Sequence, residues 1–321
     1  MSAIDSVLLV AFGGPTNAAE IRPFLDIVTR GRRIPPERLE EVAHHYELMP
    51  GGCSPLNALT EAQAEGLRRA LGGALPVFVG MRNWHPFLHE TLAAMTAAGH
   101  RRALAIILSS FRTEASWERY VADVAAARAR TPGAPEVVFA PPWFEHPRFI
   151  AAAADGVARA LAAVPPAERV ATPLVFTAHS VPVGMADASP YVADFTAAAR
   201  AVAAKTGHAR WSLAYQSRSG SPRDPWLEPD VGDVIKAAAK EGARHVAVAP
   251  IGFVCDHVEV LYDLDIEARA IAEEHGVALH RAPAVNAHPE FVAMLADVVR
   301  SRAASGAGHP RSEPDSRHPL Q

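Results

Sequence analysis

Three carboxylates recur at every fourth position of the segment Asp256–Glu267, directly after an apolar, strand-like run. Four residues advance an α-helix by about 400°, so successive carboxylates drift by about 40° and rise by about 6 Å each. Glu259, Asp263 and Glu267 should therefore form an acidic ladder about 12 Å long on one helix face. Like charges at this spacing repel by roughly 0.2–0.5 kcal/mol per pair, and a ladder of this kind suits a hard or borderline divalent cation.

The same segment has two plainer interpretations. Asp256-x-x-Glu259 fits a capping box, with Asp256 as N-cap and the Glu259 side chain reaching back to its N–H. Asp263, Asp265 and Glu267 also fit an ordinary solvated helix face. A capping box would still place Glu259 near the end of the preceding strand, so these interpretations do not exclude metal binding. A wider π-type turn would align the carboxylates better, and such turns are frequent at functional sites.

His179 follows the buried strand-like run that ends in Thr177-Ala178. A single histidine is more often structural than catalytic, but at a strand end its imidazole is a candidate base or metal ligand near neutral pH. Its neighbour Ser180 suggests a serine hydrolase. We reject that function because no Gly-x-Ser-x-Gly elbow is present and the two adjacent side chains should diverge.

The composition excludes several classes of protein. The chain has 321 residues, a formal net charge of −4 and two cysteines. The only dense basic run, Arg30–Arg33, is better explained as a solvated loop than as an anion site, so no nucleic-acid partner is expected. Cys53 and Cys255 form no CxxC pair, which argues against a zinc knuckle, an iron–sulfur cluster or a disulfide scaffold. No signal peptide or transmembrane run is recognisable, and a cytoplasmic location is expected.

Short β-rich runs alternate with longer, alanine-rich helical stretches along most of the chain. Continuous apolar strands between helices indicate an α/β protein whose parallel strands are covered on both faces. They fit either a closed eight-strand barrel or two open sheets of four strands. We favour two similar Rossmann-like domains, residues 1–165 and 166–304, followed by a disordered tail, residues 305–321. The strand-like runs are Val7–Phe12, Val77–Met81, Ala103–Leu108, Glu136–Ala140, Pro173–Thr177, Trp211–Tyr215, His245–Ala249 and Ala278–His280.

The notable residues follow the ends of predicted strands. His179, Gln216-Ser217-Arg218 and the segment Gly252–Glu259 each follow such a run, as does Gly13-Gly14. Ligands of open α/β sheets bind at the carboxyl edge, so these residues should converge on one rim. Gly13-Gly14 carries no dinucleotide or P-loop fingerprint and predicts only a tight turn.

Four ordered motifs resemble those of the ferrochelatase family. Thr177-Ala-His179-Ser-Val-Pro182 is similar to its Ser-Ala-His-x-x-Pro motif, and Tyr215-Gln-Ser with Pro225-Trp-Leu-Glu-Pro229 is similar to its Gln-Ser and Trp-Leu-x-Pro signature. Pro250–Asp263 resembles its acidic motif nearly position for position, and Gly52-x-Ser54-Pro55-Leu56 also matches. The resemblance runs in unbroken order from about Val7 to Arg300.

The resemblance implies the chelatase fold and insertion of Fe²⁺ into a porphyrin in haem synthesis. It implies that His179 is the active-site histidine and that Glu259 is its acidic partner, which we expect to face it across the cleft from the other lobe. Asp263 and Glu267 correspond to the acidic path behind Glu259. The expected metal-contacting residues are thus His179, Glu259, Asp263 and Glu267. Which of them receives the iron, and which the pyrrole protons, stays open.

The resemblance also implies a set of porphyrin contacts. Arg30 and Ser54 correspond to propionate-side contacts, and Tyr120 to a cleft tyrosine of the branch that uses coproporphyrin. Phe12 and Trp226 complete the expected porphyrin-binding set. Phe12 stands where many relatives carry tyrosine, so no axial oxygen is available there. Arg30, Ser54 and Tyr120 favour coproporphyrin III over protoporphyrin IX, because a tetra-anion requires more polar partners than a dianion.

Other expectations concern cofactors, partners and competing functions. The porphyrin and Fe²⁺ are expected as substrates, with no permanently bound cofactor, no iron–sulfur cluster and a monomeric chain. His45 stands where relatives often have a cleft arginine, and the pattern alone predicts a surface residue. Two alternatives are a chelatase for another metal, such as cobalt, and a non-catalytic haem or porphyrin carrier.

Overall fold

The computed structural model describes residues 3–31, 34–219 and 224–307. Arg32 and Arg33 of the predicted solvated loop lie outside the described residues, as does the predicted disordered tail from residue 308 onward. The last helix, Pro289–Ala307, extends three residues beyond the predicted domain boundary at residue 304.

Within the described residues the strands form two four-stranded parallel sheets. The first sheet has the strand order β2-β1-β3-β4 and the second β6-β5-β7-β8. This confirms the predicted α/β class with two sheets and excludes the closed barrel. The strands are β1 (Ser6–Ala11), β2 (Val77–Met81), β3 (Arg102–Ile107), β4 (Glu136–Phe139), β5 (Leu174–His179), β6 (Trp211–Gln216), β7 (His245–Ala249) and β8 (Ala278–Arg281).

Helices cover both sheets. They are α1 (Ile21–Val28), α2 (Pro36–Glu47), α3 (Leu56–Leu71), α4 (Leu88–Ala97), α5 (Arg119–Ala129), α6 (Pro147–Ala162), α7 (Val183–Asp187), α8 (Tyr191–Thr206), α9 (Val231–Lys240), α10 (Val258–Val260), α11 (Arg269–Glu274) and α12 (Pro289–Ala307). A 3₁₀ turn, Ala18–Glu20, precedes α1, and π-helical segments precede α5 (Glu114–Glu118) and α11 (Leu261–Ala268). No helix in the described ranges has the length and apolar character needed to cross a lipid bilayer.

The central strands of the first sheet, β1 and β3, are buried along their whole length, as their apolar composition predicts. Every residue of β1 and β3 is buried, because helices pack on both faces of the sheet. Burying this apolar surface is the main stabilising contribution, at about 25 cal/mol per Å².

The first half of the chain, which carries β1–β4, and the second half, which carries β5–β8, share one apolar core. Helix α12 packs against α3 of the first half, and α6 packs against α8 and β7 of the second half. The fully buried Gln63 of α3 donates from Nε2 to the carbonyls of Val254 (2.9 Å) and Asn286 (3.0 Å). These contacts fix the loop after β7 against the first half. The domain boundary at residue 165 stays a prediction.

Gly252, in the loop after β7, lies against the end of β5. Its N–H donates to the Thr177 carbonyl at 3.0 Å. A Cβ at this position would lie 2.5 Å from both Cα and Cβ of Ala178, too close for any side chain. Because Ala178 precedes His179, the close approach brings the segment before Glu259 up to the histidine.

We expect Gly252→Ala to destabilise the protein by about 1–3 kcal/mol, because the clash is with backbone that cannot rotate away. Gly184→Ala in α7 is the matched control, since a Cβ added there would have no neighbouring atom within 4 Å. The control should be neutral or slightly stabilising, by up to about 1 kcal/mol. Equilibrium urea denaturation of both variants measures the difference, and equal stability of the two would contradict this account of the loop.

Candidate active site

The acidic ladder lies on a helix that begins at His257. The His257 Nδ1 accepts from the Glu259 N–H at 3.2 Å, so His257 is the N-cap. The capping box predicted from Asp256 is wrong, because the Asp256 carboxylate accepts instead from Arg281 (2.8 Å) and from the Ala284 N–H (3.0 Å). After the single turn α10, residues Leu261–Ala268 form the π-helical segment that the sequence analysis considered.

His179 is the last residue of β5, and its Nε2 lies 3.7 Å from Oε1 of Glu259. Its Nδ1 contacts the Ser180 carbonyl oxygen. A carbonyl can only accept, so Nδ1 carries a hydrogen, and in the neutral ring Nε2 holds the lone pair. The two side chains are 30% and 44% exposed, so both face an opening.

His179 and Glu259 belong to the same half of the chain. The expectation that they face each other from different lobes is wrong. β5 pairs with β7 in the second sheet, and Glu259 follows β7 by a short loop. Parallel neighbours end at the same edge, so this pairing brings the two side chains together.

The two groups stabilise each other's charged forms. Burial alone would raise the pKa of Glu259, but the hydrogen bond and charge of His179, with a contribution from His257, lower it to about 2. Burial alone would lower the pKa of His179, but the hydrogen bond and charge of Glu259 raise it above its ordinary value, as does the Ser180 carbonyl. Glu259 therefore stays ionised at neutral pH, and His179 holds its proton more tightly than an isolated imidazole does.

Asp263 differs from Glu259 in its electrostatic surroundings. Burial, together with the charges of Glu259 and Glu267, raises the pKa of Asp263 to about 7, although a hydrogen bond from the Ser217 hydroxyl opposes this. The Gln216 Nε2 donates to the Glu259 carbonyl at 3.0 Å and approaches Asp263 Oδ2 at 3.4 Å. Asp263 is therefore a group that exchanges a proton near neutral pH.

Glu267 lies at the outer end of the ladder and is exposed. Burial of its carboxylate and the nearby charge of Asp230 raise the pKa of Glu267. The ladder thus runs from the histidine contact at Glu259 to solvent at Glu267.

A cavity of about 380 Å³ borders the ladder. The π-helical segment and α2 both line this cavity. The two elements meet where His45 of α2 stacks on Tyr262, with ring centroids 3.5 Å apart and planes 14° apart. The prediction that His45 is a surface residue is therefore wrong. Burial and the nearby Arg38 lower the pKa of His45. The lining residues are Arg38, Val42, His45, Tyr46, Gln216, Ser217, Arg218, Ser219, Asp230, Val231, Gly232, Val258, Glu259, Tyr262, Asp263, Glu267, Ala268 and Ile271.

Two of the expected porphyrin contacts lie together in the first half, around Arg82. The Arg82 guanidinium lies 4.3 Å from the ring centroid of the buried Tyr120 and 6.0 Å from that of Phe12. The Phe12 side chain, which is 43% exposed, packs edge-on against Phe24. Burial raises the pKa of Tyr120, Arg82 opposes this, and the charge of Glu259 adds to it. The Tyr120 hydroxyl is thus within electrostatic reach of the second half's carboxylate.

The other expected porphyrin contacts, Arg30, Ser54 and Trp226, do not belong to this group around Arg82. Arg30 is exposed after α1. Ser54 is buried, and its Oγ accepts from the Leu56 N–H at 3.3 Å. Trp226 is partly buried, and its backbone forms an isolated antiparallel β-bridge with Pro182. Arg38 and Tyr46 also line the cavity but could not be predicted from the sequence, because the helix α2 that carries them has no recognised motif.

The raised pKa of Asp263 predicts a pH-dependent effect on stability. Between the ordinary value of 3.8 and about 7, the folded state holds a proton that the unfolded state has released, so wild-type stability falls as the pH rises. Asp263→Asn cannot ionise. Its free energy of unfolding relative to wild type should therefore be higher at about pH 8 than at about pH 5.

Chemical denaturation without metal or porphyrin measures this difference at both pH values. Asp187→Asn, at an exposed carboxylate of α7, is the control and should show the same difference from wild type at both. A pH-independent difference for Asp263→Asn would contradict the assignment of a neutral-range proton to this group.

Comparisons with known proteins identify the family of this chain. The sequence profile described as Ferrochelatase matches residues 5–303. A protein of Mycobacterium avium named coproporphyrin III ferrochelatase is 48% identical over 299 residues, covering 92% of this chain and 87% of its own. One of the same name from Mycolicibacterium smegmatis is 44% identical over 306 residues, covering 92% and 89%.

Solved structures show the same fold. SirB from Bacillus subtilis with Fe³⁺ superposes with a TM-score of 0.59 at 11% identity, covering 95% of this chain and 97% of that one. DR2241 from Deinococcus radiodurans, described as similar to chelatases, superposes with a TM-score of 0.55 at 17% identity, covering 95% and 56%. The family profile spans nearly the whole chain, and on that ground this protein belongs to the ferrochelatase family.

Proposed function

We propose that this enzyme inserts Fe²⁺ into coproporphyrin III in haem biosynthesis. The single observation that carries the proposal is the approach of His179 Nε2 to Glu259 Oε1 at 3.7 Å, with further carboxylates leading from Glu259 to solvent. The two mycobacterial relatives are named coproporphyrin III ferrochelatase, and this name supports the choice of porphyrin.

Insertion releases two protons: the free-base porphyrin and Fe²⁺ give the iron porphyrin and two H⁺. We assign delivery of the cation to Glu259, Asp263 and Glu267, because carboxylate oxygens can replace the water of a divalent ion. We assign acceptance of the two pyrrole protons to Nε2 of His179, which takes them one at a time and passes the first to solvent before it accepts the second. This nitrogen is the acceptor of the neutral ring because the Ser180 carbonyl fixes the hydrogen on Nδ1.

The ion pair suggests how the two assignments are coupled. In the substrate-free enzyme Glu259 favours the imidazolium form of His179, whose positive charge balances that of the carboxylate. A cation that reaches Glu259 takes over this role and repels the imidazolium, so His179 should release its proton and expose its lone pair. The base would thus become available when the metal arrives.

The first half supplies the proposed porphyrin surface. Phe12 presents a partly exposed ring with no oxygen to approach the metal. Tyr120 lies beneath the Arg82 guanidinium, which is 11% exposed and anchored to Asp123 at 2.6 Å. Arg30 adds an exposed cation to this surface, and cationic partners matter more for the four propionates of coproporphyrin III than for the two of protoporphyrin IX.

We also propose that the chain carries no iron–sulfur cluster and acts as a cytoplasmic monomer. Cys255 is fully buried, and burial raises the pKa of its thiol, which disfavours the thiolate that a cluster requires. Sedimentation of the purified chain measures the oligomeric state directly.

His179→Ala should lower the rate of iron insertion by at least about 10²-fold, the usual contribution of a positioned acid or base. Porphyrin affinity should stay within about twofold, because the imidazole acts on pyrrole protons and metal rather than on the rim. The measurement is anaerobic incubation with Fe²⁺, following loss of the free-base absorption bands. His275→Ala, at an exposed histidine, is the control, and normal turnover by His179→Ala would remove the proposal.

The same assay with coproporphyrin III and protoporphyrin IX tests the porphyrin assignment. We expect kcat/KM to favour coproporphyrin III, and Arg30→Ala to weaken its binding about tenfold, or about 1.4 kcal/mol. The loss should be smaller for protoporphyrin IX, which has fewer propionates. Arg69→Ala, at an exposed arginine of α3, should change neither porphyrin's affinity. A preference for protoporphyrin IX would overturn the assignment.

A further inference from the structure

One arginine holds two carboxylates of the ladder-bearing segment at once. Arg281 is the last residue of β8. Its Nη1 donates to Asp256 Oδ1 at 2.8 Å and its Nε to Asp265 Oδ1 at 2.8 Å. The arginine side chain is 14% exposed, and those of Asp256 and Asp265 are 17% and 27% exposed. The arrangement is a mostly buried, charge-assisted bridge.

The two carboxylates lie on either side of Glu259. Asp256 precedes it by three residues, and Asp265 follows it inside the π-helical segment, between Asp263 and Glu267. One guanidinium therefore ties the start of the segment to its middle.

Asp256 is itself held firmly at its end of the bridge. Its Oδ1 also accepts from the Ala284 N–H at 3.0 Å, and its Oδ2 accepts from Asn286 Nδ2 at 2.8 Å. The Asp256 N–H donates to Asn286 Oδ1 at 2.9 Å. Arg281 thus links Asp265, which lies in the π-helical segment, to Asp256, whose position is set by its hydrogen bonds to Ala284 and Asn286.

A π-helical stretch requires support from outside, because its geometry is less favourable than that of the α-helix around it. Relaxation of Leu261–Ala268 to an α-helix would rotate the later carboxylates relative to Glu259. Arg281 bonds directly to this stretch from the neighbouring strand, so it opposes that rotation.

We propose that Arg281 is a positioning residue, which keeps Asp263 and Glu267 in line with Glu259 by holding Asp265 and Asp256. The inference rests on the proposed function of the ladder and names the residue that maintains its alignment. Its effect should fall on the handling of Fe²⁺, since the porphyrin contacts proposed above lie mainly in the first half.

The chain offers a matched ion pair with no such role. Arg148 of α6 donates to Glu290 and Asp297 of α12, both at 2.8 Å. This second bridge also joins one guanidinium to two carboxylates, but it connects two helices away from the ladder. Arg148→Met therefore reports what the loss of such a bridge does to stability alone.

The experiment compares Arg281→Met, Asp265→Asn and Arg148→Met with wild type. Anaerobic calorimetry measures Fe²⁺ binding to the porphyrin-free enzyme, and steady-state kinetics measures KM for each substrate. Both site variants should weaken Fe²⁺ binding and raise its KM by about tenfold, with KM for the porphyrin within about twofold. Arg148→Met should lower the unfolding temperature without changing either constant.

A further variant separates the geometry of Arg281 from its charge. Arg281→Lys retains the charge but not the planar fork that reaches two carboxylates, so its Fe²⁺ affinity should lie between those of wild type and Arg281→Met. If Arg281→Met does not fold, Asp265→Asn still tests the proposal, because it leaves the bridge to Asp256 in place.

Fe²⁺ binding within about twofold of wild type in folded Arg281→Met or Asp265→Asn, with only a loss of thermal stability, would overturn the inference. Absence of iron insertion by the wild type would instead overturn the proposed function. The two failures are therefore distinguishable.

Discussion

The pairing of β5 with both β6 and β7 is the constraint on which the site depends. Because these strands are parallel, His179, Gln216 and the loop after β7 reach the same edge of the second sheet. Gly252 then allows that loop to lie against Ala178 without a side chain between them. A small backbone contact in the core thus sets the distance between the imidazole and the first carboxylate of the ladder.

The carboxylates share one helix face but differ in charge compensation. Glu259 has His179 beside it, whose hydrogen bond and charge outweigh the cost of burial and lower the pKa of Glu259 to about 2. Asp263 has mainly a hydroxyl and neighbouring negative charges, so its pKa rises to about 7. A partly buried carboxylate without a cation costs folding energy at neutral pH. An arriving divalent ion would relieve that cost, which gives the ladder a physical reason to attract one.

The first half contributes a different kind of surface. Its aromatic residues Phe24, Tyr46 and Trp84 form a cluster that also includes Val258, the neighbour of Glu259. The stack of His45 on Tyr262 adds a second contact between α2 and the π-helical segment. The acidic wall therefore belongs to the second half, while the aromatic and cationic groups facing it come mainly from the first.

The sequence determined the strands, the family and the order of the ladder carboxylates, because these follow from local apolar runs and from residue types in fixed order. The same runs fitted a barrel as well as two sheets, and only the strand pairing decided for two sheets. Only the tertiary structure decided that His257 rather than Asp256 caps the ladder helix, that Glu259 lies beside His179 at the edge of the second sheet, and that His45 lines the cavity. In each case a contact with a residue far along the chain, such as Arg281 with Asp256, prevailed over the local pattern.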